Sequence, residues 1–500
     1  MPSLDDSFLA LPLPALADAA LQKARDLRAT IADVRVERGR LGMLGVRDGA
    51  LETSVDRQDV GLGVRVVVDG TWGFASTAEL TPEAAAQAAA SAVAVARLSK
   101  PLSTRSVELA DEPVYAEAVW VSSYEINPFD VAENDRIALL VDYCQRLMAA
   151  EGVAHVNGTI QWVQENKFYA DTAGTSTTQQ RVRIEPEFTA VAVDPAAGSF
   201  ETMRSLAPPA GRGWEYLTGT GCDLEAELAE LPHHLAERMK APSIVAGSYD
   251  LVIHPSNLWL TIHESIGHAT ELDRALGYEA AYAGTSFATP DKLGSLRYGS
   301  DVMNIVGDRT VEHGLATIGY DDEGVAAQTF DIVHEGVLVG YQTNRQMAAM
   351  NGERSNGCGY ADSAGHIPLQ RMANVSLQPA AGGPSVQDLI SRVENGLYVI
   401  GDKSWSIDMQ RYNFQFTGQR FYKIENGELV GQVRDAAYQA RTTDFWGSME
   451  AVGGEDTYVV GGSFVCGKGQ PGQVAPVSHG SPAALFRGLN ILNTVEEGQK

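Results

Sequence analysis

The stretch Trp259-Leu260-Thr261-Ile262-His263-Glu264-Ser265-Ile266-Gly267-His268 constrains this chain more than any other part of it. It sets two imidazoles and one carboxylate inside an otherwise apolar, helix-like run. Two histidines can hold a zinc ion, and a glutamate beside the first can take a proton from an activated water. In the common HExxH arrangement the histidines sit four apart, about 40° around a helix, and share a face. Here they sit five apart, roughly 140° around a regular helix, and would diverge. Both reach one ion only if the helix bulges or breaks between them. A π-bulge adds one residue to a turn and is favoured at functional sites. Gly267 is expected to loosen the backbone where that distortion falls. The competing reading is a buried amphipathic helix with incidental histidines.

The whole chain limits what else is possible. Five hundred residues exceed one ordinary core, so two domains are expected. A formal charge of −26 repels phosphate backbones and anionic membranes, which argues against nucleic-acid or membrane binding. Cys144, Cys222, Cys358 and Cys466 are widely spaced and form no CxxC pair, which fits free thiols in a reducing cytoplasm. No run approaches the 18 or so apolar residues of a membrane span. The acidic start, Met1 to Asp6, lacks the positive region of a signal peptide.

Along the chain, residues 14–30 have helical apolar spacing. Short strands follow, punctuated by Arg38-Gly39, Asp48-Gly49 and Asp69-Gly70, the last two being hairpin signals. Thr81-Pro82 reads as an N-cap with proline at the first helical position, opening an Ala-rich surface helix to about Leu98. Further helices are expected over 135–151, stopped by Gly152, and over 223–240, with strands between them. Ala241-Pro242-Ser243 is a candidate boundary. Beyond about residue 300 the chain reads as mostly β, with one helix over 385–395 stopped by Gly396. The expected fold is α+β in two domains: an α+β unit over 1–241 and a β-rich unit over 242–500 that carries the HExxxH segment.

The residues around that segment carry a resemblance. Glu271 and Asp273 extend it to HESIGHATELD, which resembles the HExxxHxxExD signature of the TldD/PmbA family of zinc metallopeptidases. Asp321-Asp322-Glu323-Gly324 resembles that family's DDEG segment, and Arg371-Met372-Ala373-Asn374 is similar to its RMTN element, with Ala373 in place of threonine. Gly61 to Arg65 followed by Gly70 to Ala75 looks like its first motif block. Cys466-Gly467-Lys468-Gly469 is similar to the family's Cys-Gly-Lys run, which implies that Cys466 is the third metal ligand beside His263 and His268. On chemistry alone a free buried cysteine is the commoner reading of Cys466.

The resemblance implies a Zn2+-dependent peptidase acting on unfolded or short peptides, in degradation or precursor trimming. It also implies a homodimer, or a heterodimer with a PmbA/TldE-type subunit. Glu264, next to His263, is the expected general base. The alternative is a non-catalytic subunit or protein-binding regulator of the same family. Glu271 and Asp273 read either as acceptors for the ligand imidazoles or as surface charges. Asp321 to Glu323 form an acidic cluster that could bind a hard cation, but three acids beside a glycine more often make a solvated turn. His254 reads as structural and His233-His234 as bland. His313, His334, His366 and His479 lack ligand spacing, and Arg371 and Asn374 take no role from sequence.

Overall fold

A computed structural model describes residues 2–196, 198–469 and 471–498. Its first half is built on seven strands: β1 (Ile31–Arg47), β2 (Ala50–Val68), β3 (Thr71–Thr77), β4 (Ala118–Val121), β5 (His155–Asp171), β6 (Ser176–Asp194) and β7 (Ser199–Arg204). They order β3-β2-β1-β5-β6-β4, with β7 on β6, and only the β4–β6 pair is parallel. Asp48-Gly49 and Asp69-Gly70 make the expected hairpins, with φ of 49° and 79°, and of 50° and 72°. Two consecutive positive φ values give a turn whose twist matches the strands.

β1 and β2, of 17 and 19 residues, are far longer than the short runs expected there. Arg38-Gly39 breaks nothing: it lies mid-strand, opposite Val60 and Asp59. The reason is the face that β1, β2, β5 and β6 share, which is charged yet buried. Arg35, Glu37, Arg65, Glu165, Lys167, Arg181 and Arg183 are each less than a tenth exposed. They compensate one another, as in Arg65–Asp33 (2.8 Å) and Arg181–Glu165 (2.7 Å). A strand that alternates charge with apolar residues reads as half-solvated when its charges are in fact paired.

The apolar face takes helices. Leu13–Asp26 and Pro82–Ser99 pack over Val34, Val36, Val64 and Val66. Thr81 caps the second helix by accepting from Ala84 N. This Ala-rich helix is no surface helix: Ala85, Ala89, Ala92 and Ala96 are fully buried. The small stripe lets it lie against β3, where a Cβ on Gly73 would stand 1.9 Å from the Ala92 carbonyl. Helices Glu133–Met148 and Leu224–Lys240 cover the far end of the sheet. The former ends well before Gly152.

The second half is sheet-rich. Strand 395–407 pairs with 247–253, which pairs with 484–493, then 436–441, then 413–425. Strand 413–425 also pairs back onto 395–407, so five strands close a circuit. The expected helix over 385–395 is shorter, Val386–Ser391, and Gly396 belongs to a strand. A Cβ there would lie 2.5 Å from the Asp250 carbonyl of the neighbouring strand. The helix Pro255–Ile262 packs into this core through Leu258 and Ile262, beside Phe414 and Phe416. A hairpin of Val459–Lys468 and Gln473–Ser481 lies over the same helix, with Gly461 against the Trp259 ring.

Asp321 to Glu323 are not solvated. They are 2, 4 and 1% exposed and press onto the charged face of the first sheet. Lys167 reaches Asp322 at 2.8 Å, and Arg65 reaches Glu323 at 2.6 Å. Backbone N–H groups of Glu323, Val325 and Gly359 donate to Asp321. All four cysteines are free thiols. Among the described residues no helix is long and apolar enough to cross a membrane.

Candidate metal centre

The segment that spaced its histidines awkwardly folds as the spacing requires. His254 caps the helix, its Nδ1 accepting from Ser256 N at 3.1 Å, and Pro255 takes the first helical position. Regular helix runs to Ile262. His263–Gly267 then form a π-helical turn, closed by the N–H of His268 donating to the His263 carbonyl. An i→i+5 bond stacks residues five apart, which is the alignment a regular helix denies them. A 3-10 turn, His268–Thr270, follows. The widened turn is held from outside: Tyr298 donates to the Ser265 carbonyl, and Trp446 Nε1 donates to Ser265 Oγ at 3.0 Å.

Gly267 serves a different purpose from the one expected. Its φ of −50° is ordinary for any residue. What it supplies is room, since a Cβ would lie 2.8 Å from Met372 Sδ and 3.4 Å from His479 Cε1.

One nitrogen from each of His263 and His268 and the Cys466 sulfur lie within 4.8 Å of one another. Cys466 Sγ is 3.7 Å from His268 Nε2. The three residues are 6, 6 and 3% exposed. Cys466 arrives on the hairpin, where a register shift between Ser463 and Cys466 re-aims it toward the helix. Arg371 anchors this strand, donating to the Cys466 carbonyl at 2.5 Å. Asn374 is a structural bracket, donating to the Asp308 carbonyl and accepting from Ala316 N.

The hydrogen-bond network fixes which ring nitrogens carry protons. His479 Nδ1 faces the Val375 carbonyl at 2.8 Å, which can only accept, so that nitrogen donates. Burial and the neighbouring His263 hold His479 well below the usual imidazole range, hence neutral. Its Nε2 is then an acceptor, 2.8 Å from His263 Nδ1, which must donate to it. His263 Nε2 is the nitrogen left to face Cys466; burial opposes a charge on this ring, but the Cys466 sulfur raises it above the usual imidazole range. In the same way His268 Nδ1 donates to Glu271 at 2.9 Å, leaving its Nε2 free toward Cys466. Burial opposes ionisation of the Cys466 thiol, but His263 and Arg371 draw it below its ordinary value. Two imidazoles and an ionisable thiol therefore converge, a set that suits zinc once the ion displaces the proton that His263 and Cys466 share.

Behind the cluster, Lys468 is 1% exposed and joins Glu271 (3.0 Å), Asp273 (2.8 Å) and Glu279 (3.5 Å). Of the two acids flagged in the sequence, Glu271 faces the His268 imidazole and Asp273 faces Lys468 instead. Glu264 is 6% exposed and accepts from Arg411 Nη1. Three residues of this surround escaped sequence reasoning. His479 and Arg411 come from distant strands and turns with no local spacing to mark them. Lys468 stands two residues from Cys466, so its buried charge was open to suspicion.

Family models extend the likeness over most of the chain. Residues 246–493 match the PmbA/TldA metallopeptidase C-terminal domain, and residues 32–96 match the PmbA/TldA metallopeptidase domain 1. The chain is 26% identical over 449 residues to the metalloprotease MJ0996 of Methanocaldococcus jannaschii, covering 90% of this chain and 94% of that one. A zinc metalloprotease TldD homolog of Saccharolobus solfataricus is 27% identical over 270 residues, 54% of this chain and 57% of that one. In fold it is similar to a Thermotoga maritima protein described as a candidate modulator of DNA gyrase (TM-score 0.75, 17% identity, 95% of this chain and 99% of that one). It is likewise similar to TldE of Thermococcus kodakarensis (TM-score 0.71, 17% identity, 94% and 98%). An α+β chain with a sheet-rich carboxy-terminal half and a His-His-Cys cluster thus has the architecture of a two-domain metallopeptidase. It belongs to the TldD/PmbA family.

Proposed function

We propose that this chain is a zinc-dependent peptidase that hydrolyses unfolded or short peptides, in degradation or precursor trimming. His263, His268 and Cys466 are its ligands and Glu264 its general base. The observation that carries the reading is the convergence of one nitrogen each from two imidazoles and a depressed thiol beside a buried carboxylate. Zinc in such a site is a Lewis acid that brings the pKa of a water toward neutrality. Two neutral imidazoles and a thiolate leave a net charge of +1, as His₂Glu sites do. Glu264 takes a proton from the attacking water and delivers it to the leaving amine. His479 and Glu271 hold the two imidazoles in their tautomers.

Glu264→Gln is expected to retain about one zinc per chain and lose hydrolysis of a peptide library read by mass spectrometry. Cys466→Ala is expected to lose most of the zinc. Normal cleavage by the first variant removes Glu264 from its role, and unchanged zinc in the second removes Cys466. A non-catalytic family subunit has no use for a convergent donor set, so we rank that reading second.

The same proposal divides the chain into units 1–241 and 242–500. Helix Leu224–Lys240 ends there and the second sheet begins at Gly247. It also pairs the chain with itself or with a PmbA/TldE-type subunit, in the cytoplasm. Light-scattering mass of the chain alone and with a co-expressed partner decides between the two.

A further inference from the structure

Hydrolysis by an attacking water places negative charge on the former carbonyl oxygen, and such charge is normally met by positioned donors. None of the residues assigned above supplies one. Arg411 lies at the tip of the turn joining strands 395–407 and 413–425. Its φ is +64°, a region that arginine rarely adopts. The turn is over-determined. Backbone N–H groups of Gln410, Tyr412 and Asn413 converge on the Asp408 carboxylate at 3.0, 2.8 and 3.0 Å. The Arg411 carbonyl accepts from Thr442 Oγ1 at 2.7 Å. Thr285 and Phe287 N–H groups donate to the Met409 and Gln410 carbonyls, each at 2.9 Å. Strain held this firmly is characteristic of functional sites.

What the strain achieves is direction. The Arg411 side chain is 14% exposed and its Nη1 donates to Glu264. Its Nε is buried with no hydrogen-bond partner among the described residues. This buried guanidinium, beside the proposed base, therefore has a donor to spare.

We propose that Arg411 is a catalytic residue that donates to the oxyanion of the peptide undergoing hydrolysis, an inference that rests on the peptidase reading above. As the water oxygen bonds to the peptide carbon, the carbonyl π pair moves onto its oxygen and a water proton passes to Glu264. Negative charge thus leaves Glu264 as it appears on the substrate, and the guanidinium follows it. When the C–N bond breaks, the pair re-forms the carbonyl and Glu264 returns its proton to the leaving nitrogen. Acid and amine depart, and Arg411 regains the carboxylate. The contact strengthens in the transition state rather than in the bound substrate, which is the condition for raising kcat.

The test uses the zinc-loaded full chain with Arg411→Gly and Arg411→Lys. Glycine suits a φ of +64°, so its variant removes the side chain and relieves the backbone together. With an internally quenched decapeptide, Arg411→Gly is expected to lower kcat by about 10²–10³-fold. KM should stay within about threefold and zinc per chain should be unchanged; added guanidinium should restore part of the rate. Calorimetry with a phosphinic peptide, tetrahedral and anionic, should show affinity falling by a comparable factor. Arg411→Lys should recover only a part, because it lacks the fork. Wild-type kcat, a loss confined to KM, or faster turnover in Arg411→Gly overturns the proposal while an inactive, zinc-bound Glu264→Gln leaves the peptidase reading standing. If the loaded wild type cleaves nothing, the peptidase reading fails instead. The calorimetry still decides, since equal phosphinic affinity in wild type and Arg411→Gly overturns the role of Arg411.

Discussion

Lys468→Met is the most demanding test of how the metal centre is held. The ammonium is 1% exposed and lies 3.0 Å from Glu271, 2.8 Å from Asp273 and 3.5 Å from Glu279. Burial works against the Glu271 carboxylate, yet Lys468 and His268 hold it well below the usual range. Asp273 is already raised by burial, only partly offset by Lys468. Methionine keeps most of the side-chain volume and removes the charge. Among the described residues the three buried carboxylates would then keep Arg274 as their ion-pair partner, 3.8 Å from Glu271 and 3.4 Å from Glu279, with Arg371 acting on Glu271 from further off. Removing one partner of a buried ion pair destabilises by about 3–5 kcal/mol. For a unit of 150–250 residues about 2–4 °C accompanies each kcal/mol, so the thermal midpoint should fall by roughly 6–20 °C.

The loss should reach the metal as well, because Glu271 orients His268 and Lys468 stands two residues from Cys466. Disturbing such outer partners lowers metal affinity by about 10–100-fold, or about 1.4–2.8 kcal/mol. The assay is a thermal scan of apo and zinc-loaded protein, paired with a competition titration against a chromogenic chelator. Since the pair is buried, 0.5 M salt should change neither result. A midpoint within about 2 °C of wild type together with unchanged zinc affinity would refute the claim that this lysine clamps the hairpin to the histidine loop.

Other expectations are smaller in scope. His479→Ala leaves His263 Nδ1 without its acceptor and should weaken zinc binding by about 10–100-fold in the same titration. Gly267→Ala forces a Cβ to 2.8 Å from the buried Met372 sulfur, and should destabilise by about 1–3 kcal/mol in a urea titration. Glu185 is pushed up to about 7 by burial, with Glu187 adding to it and Arg204 partly offsetting. The folded state therefore binds this proton more tightly than the unfolded chain, and stability declines as pH rises from about 4.5 to about 7. Glu185→Gln should flatten that decline in thermal scans, matching wild type at pH 4 and exceeding it at pH 8.

The approach of His263 and His268 was legible because its evidence is local. A spacing of five within an apolar run dictates a distorted helix, and the π turn over His263–Gly267 is the form that distortion takes. Hairpins at Asp48-Gly49 and Asp69-Gly70 were legible for the same reason. Cys466 needed the family likeness, since nothing near it announces a partner 198 residues away. His479 and Arg411 were hidden for a related cause: each acts through a contact set by hairpin register or turn conformation, 216 and 147 residues from its partner.

The acidic triplet shows the physics of the misses most clearly. Three adjacent carboxylates read as solvated because isolated charges are expensive to bury. That argument holds only while no cation is available. Here Lys167 and Arg65 meet Asp322 and Glu323 from 155 and 258 residues away. The same misreading made long strands look short, since Lys167 and Arg65 lie on the charged face of β5 and β2. One unrecognised pairing thus accounts for both errors. A sheet face whose charges find partners only on the other half of the chain gives no local signal of burial. Its partner segment must therefore look like a solvated turn until the two are brought together.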